Sequence, residues 1–356
     1  MDIDTDTDLI PGLPEDVGLE CLVRIHYNHF SSISSVSKSW RRQLHLPEFW
    51  RRRRAAGFTR QVIVLAQSRV DPTRDHMPKK YIAAPVYRLT LCEPETGIWA
   101  ELPPIPGYWG GLPMFCQVVG VGLDLVVVGG CDPVTWEVSN SVFIYNFATA
   151  TWRSGAHMPG EPRLFFACAS DSLRRVFVAG GHDNDKRALR TAMAYDVAGD
   201  IWSAMPDMAT ERDEAKGIFH AGIFHIIGGY RTDMQGQFET SAESFDAATW
   251  QWGPVQEEFL DGPTTCTGNC DVAVQGGNLA EREGSAWRVV AEMPSEVRNI
   301  TAYVAAWRGK VLVIGSEGFG GAYKMFLLDL NSGKWERVEA GDDFLGHVQS
   351  GCCMEL

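Results

Sequence analysis

Three stretches of this chain repeat one order of apolar and polar positions. An apolar run, Val126-Val127-Val128, Val176-Phe177-Val178-Ala179 or Ile226-Ile227, ends on a glycine pair at 129–130, 180–181 or 228–229. A short apolar run bounded by turn residues predicts a buried strand. Two glycines at its end let the backbone take positive φ and admit a neighbouring strand. An aromatic residue followed by Asp or Asn comes next, at Tyr145-Asn146, Tyr195-Asp196 and Phe245-Asp246, and then a tryptophan, Trp152, Trp202 or Trp250. Trp152 lies 22 residues past Gly130, and Trp202 and Trp250 lie 21 past Gly181 and Gly229. These positions predict two further strands separated by turns such as 198–200. A fourth follows the turns Met158-Pro159 and Met205-Pro206, in Leu164–Ala169 and Gly217–Phe219. Four strands in about 50 residues is the unit of a β-propeller.

Weaker copies extend the register at both ends. One holds Val62–Leu65, Tyr87–Leu91 and Trp99, and the last holds Val311–Ile314, Leu328-Asp329 and Trp335. The series Trp99, Trp152, Trp202, Trp250, Trp287, Trp335 has steps of 53, 50, 48, 37 and 48, which gives six repeats with a short fifth. Gly276-Gly277 stands ten residues before Trp287, leaving no room for an aromatic-Asp strand between them. The fifth blade is therefore predicted to be degenerate, lacking a strand or distorted. The tryptophans 99, 152, 202, 250 and 335 are predicted to be core.

Residues 9–57 carry none of these features and read as three helices. Pro14-Glu15-Asp16 opens the first, with acidic residues in the first turn where the helix dipole favours them, and Val17, Leu19, Cys21, Leu22 and Ile25 supply its apolar positions. Phe30, Ile33, Val36, Trp40 and Leu44 recur at three and four, as an amphipathic helix requires. Pro47-Glu48-Phe49-Trp50 begins the third. Three short helices make a marginal core alone, so something must cover their remaining apolar surface. The chain divides into a small all-α domain at 9–57 and an all-β propeller at 58–356.

With 356 residues and 45% hydrophobic content, the chain can bury a large core. No apolar run is long enough to span a bilayer, since Val118–Gly130 is broken by Asp124 and by glycines. The first residues alternate Asp with Ile and Thr, unlike a signal peptide. A cytoplasmic or nuclear location, or both, is expected, with no membrane partner.

The first 60 residues hold nine basic and eight acidic side chains, so the remainder carries −14 of the total −13. An acidic propeller repels nucleic acid phosphates and suits a basic partner surface. Arg51–Arg54 has the composition of a nuclear localisation signal or of a solvated helix end. The nine cysteines are odd in number and scattered, which predicts reduced, packed thiols. Cys266 and Cys270 lack a second pair or flanking His to complete a metal site. The nine histidines show no ligand-like clustering, His220 and His225 being five apart. No catalytic residue, metal or cofactor is expected.

The Gly-Gly, Tyr-Asp, Trp and Met-Pro-x-x-x-Arg features resemble kelch repeats. That resemblance implies a C-terminal strand within 346–354 that completes the first blade and removes its exposed edge. It also implies a target-binding face built from the loops after the Gly-Gly strands and between blades. Here those are 103–114 with Tyr108 and Trp109, 132–140 with Trp136, 182–190 and 230–239. Trp109 and Trp136 lie outside the strand pattern, and aromatic anchors are enriched in hot spots. Arg163, Arg212 and Arg298 follow the Met-Pro turns, where they either meet an acidic or amide-bearing target or bridge adjacent blades.

Ahead of the repeats, Leu13-Pro14-Glu15-Asp16-Val17, Cys21-Leu22-x-Arg24-Ile25, Val36-Ser37-Lys38-Ser39-Trp40-Arg41 and Phe49-Trp50 resemble an F-box in order and spacing. The family docks this motif onto the Skp adaptor of a cullin–RING ubiquitin ligase. Leu13, Pro14, Val17, Leu22 and Ile25 are the candidate adaptor contacts, while Trp40 and Trp50 are expected in the domain's own core. The pair of motifs implies a substrate receptor.

Within plant F-box proteins with kelch repeats, Trp287–Pro294 and the Tyr87-x-Leu89-x-Leu91 to Trp99 phrase resemble the subgroup that promotes turnover of phenylalanine ammonia-lyase. This implies down-regulation of phenylpropanoid synthesis; close relatives are associated with cytokinin response regulators. Two rival readings are a kelch-type metal enzyme, which needs converging ligands, and a cytoskeletal scaffold, for which an F-box has no use.

Overall fold

Each glycine pair at 129–130, 180–181 and 228–229 follows the second strand of a four-stranded antiparallel sheet. The computed structural model describes residues 9–70, 85–262, 267–269, 272–283 and 286–356. Among these residues there are six such sheets, the blades of a propeller. Blade 1 holds β1 (Gln61–Ser68), β2 (Tyr87–Glu93) and β3 (Ile98–Glu101); blade 2 holds β4 (Gln117–Val121), β5 (Asp124–Val128), β6 (Val142–Asn146) and β7 (Thr151–Gly155). Blade 3 runs β8 (Ala167–Ser170), β9 (Arg175–Ala179), β10 (Ala192–Asp196), β11 (Ile201–Ala204), and blade 4 runs β12 (Lys216–His220), β13 (Ile223–Ile227), β14 (Ala242–Asp246), β15 (Gln251–Trp252). Blade 5 is β16 (Thr267–Asn269), β17 (Val272–Gln275), β18 (Asn278–Glu283) and β19 (Ala286–Glu292). Blade 6 is β20 (Ile300–Trp307), β21 (Lys310–Ser316), β22 (Lys324–Asp329) and β23 (Lys334–Val338).

The last strand, β24 (Val348–Glu355), pairs antiparallel with β1 from Gln61↔Glu355 to Gln67↔Val348. It becomes the innermost strand of blade 1, so the ring closes by pairing the propeller's last strand with its first. Residues of β4, β8, β12, β20 and β24 line a central channel of about 390 Å³.

The repeat motif has a physical reading at each position. The second glycine of each pair, with φ of +95°, +79° and +79°, faces main chain of the segment entering the same blade. A Cβ on Gly130 would stand 2.7 Å from Met114 O, on Gly181 2.3 Å from Leu164 O, and on Gly229 2.6 Å from Asp213 O. Only glycine permits that approach. The Asp or Asn ending the third strand caps the following turn. Asp246 Oδ1 accepts from the amides of Ala248 and Thr249 at 2.7 and 3.2 Å, and Asp329 Oδ1 from those of Asn331 and Ser332 at 2.9 Å each.

The tryptophans are not core. Trp99, Trp152, Trp202 and Trp335 sit half-buried on the outer strands, and each of these indoles donates to a main-chain carbonyl of the preceding blade's exit. Trp152 Nε1 reaches Pro103 O at 2.9 Å, Trp202 reaches Ala156 O at 2.8 Å, and Trp335 reaches Glu292 O at 3.1 Å. Trp99 closes the belt onto Glu339 O at 3.0 Å. In blade 4 this part belongs to Trp252, which pairs with Phe245 and donates to Pro206 O at 2.7 Å. Trp250 instead lies in the turn at φ +60°. Ten residues separate Gly181 from β10 and twelve separate Gly229 from β14, so a constant count from the glycine lands two residues short.

Blade 5 keeps all four strands, so none is missing. It is short because Gly276 and Gly277, at φ +56° and +78°, join β17 to β18 as a two-residue turn where other blades carry a long loop. Its distortion is confined to register shifts at Thr267/Asn269 and Leu279/Ala280.

The helical segment has four α-helices rather than three: α1 (Glu15–Val23), α2 (Phe30–Val36), α3 (Lys38–Gln43) and α4 (Pro47–Ala55). The expected long second helix breaks at Ser37, whose extended backbone lets its hydroxyl cap α3 by accepting from Trp40 N at 3.1 Å. The break leaves Val36 62% exposed instead of in the core. Trp40 and Trp50 pack against the segment's core, with indoles on Leu9 O and Leu44 O.

The apolar surface that these short helices cannot cover is covered by the propeller. Leu22, Phe30, Leu44 and Phe49 belong to one buried cluster with Val62, Leu89, Leu125 and Met354. Arg53, fully buried, donates from Nη1 to Val23 O and Ile25 O at 2.7 and 2.6 Å and from Nη2 to Phe58 O at 2.9 Å. Its guanidinium also stacks near Phe30 at 5.1 Å, and burial lowers its pKa to about 10. Tyr27 Oη donates to the buried Glu93 of β2 at 2.5 Å.

Candidate functional site

On the helical segment, the exposed apolar side chains are Val17 at 42%, Val36 at 62% and Leu46 at 37%, beside an exposed Pro14 and a half-buried Leu13. Pro14 stands at the N-cap of α1 and presents Glu15 and Asp16 in the first turn. Leu22, by contrast, is 1% exposed and Ile25 packs against the core cluster. Leu22 lies on the buried face of α1 with Leu19, and Ile25, just past the helix end, also turns inward. Leu22 is thus committed to the interior, and of the candidate contacts Pro14 and Val17 are exposed and Leu13 is half-buried. Val36 was hidden in the sequence because it lies in an apolar rhythm that the break at Ser37 interrupts, and Leu46 stands outside that rhythm at the N-cap of α4.

Arg51–Arg54 is not a continuous solvated basic patch. Arg51 and Arg52 pair with Glu48 at 2.7 Å each, Arg53 is interior, and Arg54 pairs with Glu355 at 2.6 Å.

In an antiparallel four-strand meander, the loops joining second to third strands and those joining blades emerge at the same end of the ring. Trp109 is 78% exposed there, and Trp136 61%. Tyr108 is half-buried, its ring edge-on to Phe143 at 5.0 Å. Trp136 is held rigidly: Asp132 Oδ1 accepts from Val134 N and Thr135 N at 2.8 and 2.7 Å, and Asp132 O accepts from Trp136 N at 2.9 Å. The result is a tight loop projecting Val134, 84% exposed, and Trp136 at φ +61°.

Arg163 and Arg212 are not on this face. Arg163 is 4% exposed and donates to Gly180 O at 3.1 Å, Thr191 O at 3.2 Å and Thr191 Oγ1 at 2.9 Å. Arg212, 1% exposed, donates to Gly228 O at 2.8 Å, Ser241 Oγ at 2.9 Å and Glu243 Oε1 at 3.1 Å. Both reach the first glycine of the pair and the start of the third strand within one blade, so they fasten the blade rather than read a target. Arg298 is more open and pairs with Glu292 at 2.6 Å.

The channel mouth at this end is built from residues that the repeat pattern did not single out. Phe115, Phe165 and Glu214 stand just before β4, β8 and β12, all in the left-handed region at φ +60°, +54° and +52°. The Phe115 and Phe165 rings are 4.7 Å apart, and Phe165 lies 5.5 Å from the His182 ring. His182 Nδ1 bonds Asp213 Oδ2 at 2.8 Å, and Lys186 Nζ meets His182 Nε2 at 3.1 Å. Tyr230 Oη donates to Glu214 Oε1 at 3.0 Å, and burial together with Asp213 raises the Tyr230 pKa. The signal available in sequence was the second glycine, whose close approach shapes the bend that holds these three residues.

Among the described residues no group of three or more His, Cys, Asp or Glu is placed to hold a metal ion. Seven described cysteines are free thiols, and burial pushes Cys116 and Cys168 up to about 12. Cys266 and Cys270 lie outside the described residues.

Comparison with known proteins finds two family models and several relatives. The F-box domain family matches residues 10–52, and the Kelch motif family matches 114–159 and 173–209. The F-box/kelch-repeat proteins At1g80440 and At1g15670 of Arabidopsis thaliana are each 48% identical over 98% of this chain and 100% of their own length. F-box/kelch-repeat protein SKIP20 of the same plant is 32% identical over 70% of this chain and 66% of its own.

Proposed function

This chain belongs to the F-box/kelch-repeat proteins, generally substrate receptors of Skp–cullin–F-box ubiquitin ligases, and on that premise we propose that it is such a receptor. It captures a target on the propeller face that carries Trp109 and Trp136, for ubiquitination and proteasomal degradation. The helical segment docks a Skp-type adaptor through Leu13, Pro14 and Val17, and the adaptor brings the cullin scaffold. The chain itself makes and breaks no covalent bond. Its contribution is to raise the effective concentration of a target lysine near the conjugating enzyme.

The observation that carries this reading is the shared core between the two parts. Arg53 and the cluster of Leu22, Phe49, Val62 and Leu125 leave the adaptor-docking helices no hinge against the propeller. A target held on the ring is then held at a set distance from the ligase, which a flexible tether would not achieve.

The target proposed is phenylalanine ammonia-lyase, so that the receptor lowers phenylpropanoid synthesis; the resemblance of Trp287–Pro294 and Tyr87–Trp99 to that plant subgroup supports it. The proposed location is cytoplasmic, nuclear or both. The test is co-purification of the full chain with Skp adaptor and cullin, then the half-life of phenylalanine ammonia-lyase in plant cells with and without the chain. Adaptor binding with a shortened lyase half-life supports both parts. An unchanged lyase and a destabilised cytokinin response regulator would transfer the target assignment, and failure to bind any adaptor overturns the receptor.

A further inference from the structure

We propose that the mouth of the central channel is a pocket for a lysine or arginine side chain of the captured protein, and that the face around it selects a basic segment carrying bulky apolar residues. The inference rests on the receptor reading above and adds the chemistry of what is received.

Burial of Arg163 and Arg212 withdraws two cations from this face and leaves the acidic balance of the propeller to set its sign. Among the described residues, the exposed arginines of these loops are already paired: Arg187 with Asp185, Arg190 with Asp207, Arg231 with Glu239 and Arg298 with Glu292. The exposed carboxylates of Asp233, Glu257, Glu258, Asp261, Asp342 and Asp343 enter no ion pair among the described residues. They occupy the loops between β13 and β14, β15 and β16, and β23 and β24, all on the same end of the ring. A face of this sign attracts basic segments, and repels acidic peptides and nucleic acid. The two-residue turn of blade 5 puts no long loop over that sector.

The mouth supplies the specific point. A bulky side chain at positive φ is rare, and such strain persists where surroundings enforce it, as at ligand clamps. Here it recurs in three successive blades at Phe115, Phe165 and Glu214. Gln349 Oε1 fixes the first by accepting from Phe115 N at 2.8 Å. Glu214 is exposed, yet positioned from two sides: its amide donates to Asp213 Oδ1 at 2.9 Å, and Tyr230 holds Oε1. Its second oxygen has no hydrogen-bond partner among the described residues. The neighbouring phenylalanine rings add the negative π-face that a desolvated cation prefers. Lys186, the nearby cation, is engaged with His182 Nε2. Trp109, Trp136 and Val134 then stand as outer anchors for apolar side chains flanking the cation.

The test uses the full chain bound to its Skp adaptor, with a displayed library of random dodecapeptides as the probe. Enrichment of peptides that carry Lys or Arg next to aromatic or long aliphatic residues is expected. Their affinity should fall about tenfold in Glu214→Gln and fall again in the surface pair Glu257→Lys with Glu258→Lys, at unchanged melting temperature. Enrichment of acidic or uncharged peptides, no enrichment, or unaltered affinity in Glu214→Gln overturns the proposal. Adaptor binding is read in the same samples, so loss of the receptor reading and loss of this inference are separate results.

Discussion

Arg212 and Glu243 form a buried ion pair, Nε to Oε1 at 3.1 Å, with side chains 1% and 0% exposed. Glu243 also accepts from the amides of Ala209 and Thr210 at 2.7 and 3.2 Å, so its carboxylate ties the entry of blade 4 to β14. Removing the arginine leaves that carboxylate buried without its cation. Arg212→Ala is expected to lose about 3–5 kcal/mol in urea unfolding. Arg298→Ala, whose pair is exposed, is expected to stay within about 0.5 kcal/mol. Equal effects of the two would contradict the division between blade fasteners and surface arginines.

The indole belt predicts a contrast between neighbours. Trp252→Phe removes the bond to Pro206 O, while Trp250→Phe removes no hydrogen bond found among the described residues and keeps an aromatic ring beside Phe245. The first variant should be less stable than the second by about 1 kcal/mol, the worth of one such bond. Thermal unfolding of both variants checks this, and a larger loss from Trp250→Phe would return the repeat position to residue 250.

Acid sensitivity follows from the turn-capping aspartates. Asp246 and Asp329 have lowered pKa values because backbone amides donate to their carboxylates, and Asp196 because Arg174 and the Gly199 amide do. The folded state therefore binds fewer protons than the unfolded chain near their ordinary value of 3.8. Their stabilisation is complete above that pH and is lost as pH falls below it. Urea midpoints measured from pH 7 to pH 3 should drop at the acid end. The triple variant Asp196→Asn, Asp246→Asn, Asp329→Asn keeps the acceptors but cannot titrate, and should flatten the drop.

The repeat order was legible because each motif residue answers a local need that recurs in every blade: a glycine where main chains approach, an aspartate where a turn needs an acceptor, an indole where blades meet. Loop length was not legible in the same way. The extra two residues before β14 moved the belt from Trp250 to Trp252, and the Gly276-Gly277 turn imitated a lost strand. The candidate site was read less well. A count of residues cannot say whether an arginine after a Met-Pro turn points outward, and Arg163 and Arg212 turn inward because unpaired carbonyls at Gly180 and Gly228 need donors there. Phe115, Phe165 and Glu214 share no residue type, so only their backbone geometry unites them.

The two faces of α1 give the adaptor assignment its sharpest form. Leu22 and Val17 are five residues apart on one short helix, one at 1% exposure in the shared core and the other at 42% in solvent. Truncating Leu22 to alanine is expected to cost about 2–5 kcal/mol of stability. It should lower adaptor capture only as far as it lowers the folded fraction. Val17→Glu changes an exposed side chain and should leave stability within about 0.5 kcal/mol. If Val17 is buried by the adaptor, about 1.5–3 kcal/mol of contact is lost, which weakens the complex roughly 10- to 150-fold. Calorimetric titration of adaptor into each variant, beside its melting curve, separates the two effects. Full adaptor affinity in Val17→Glu would move the docking surface away from the first turn of α1, leaving Val36 and Leu46 as the remaining exposed apolar positions of the helical segment.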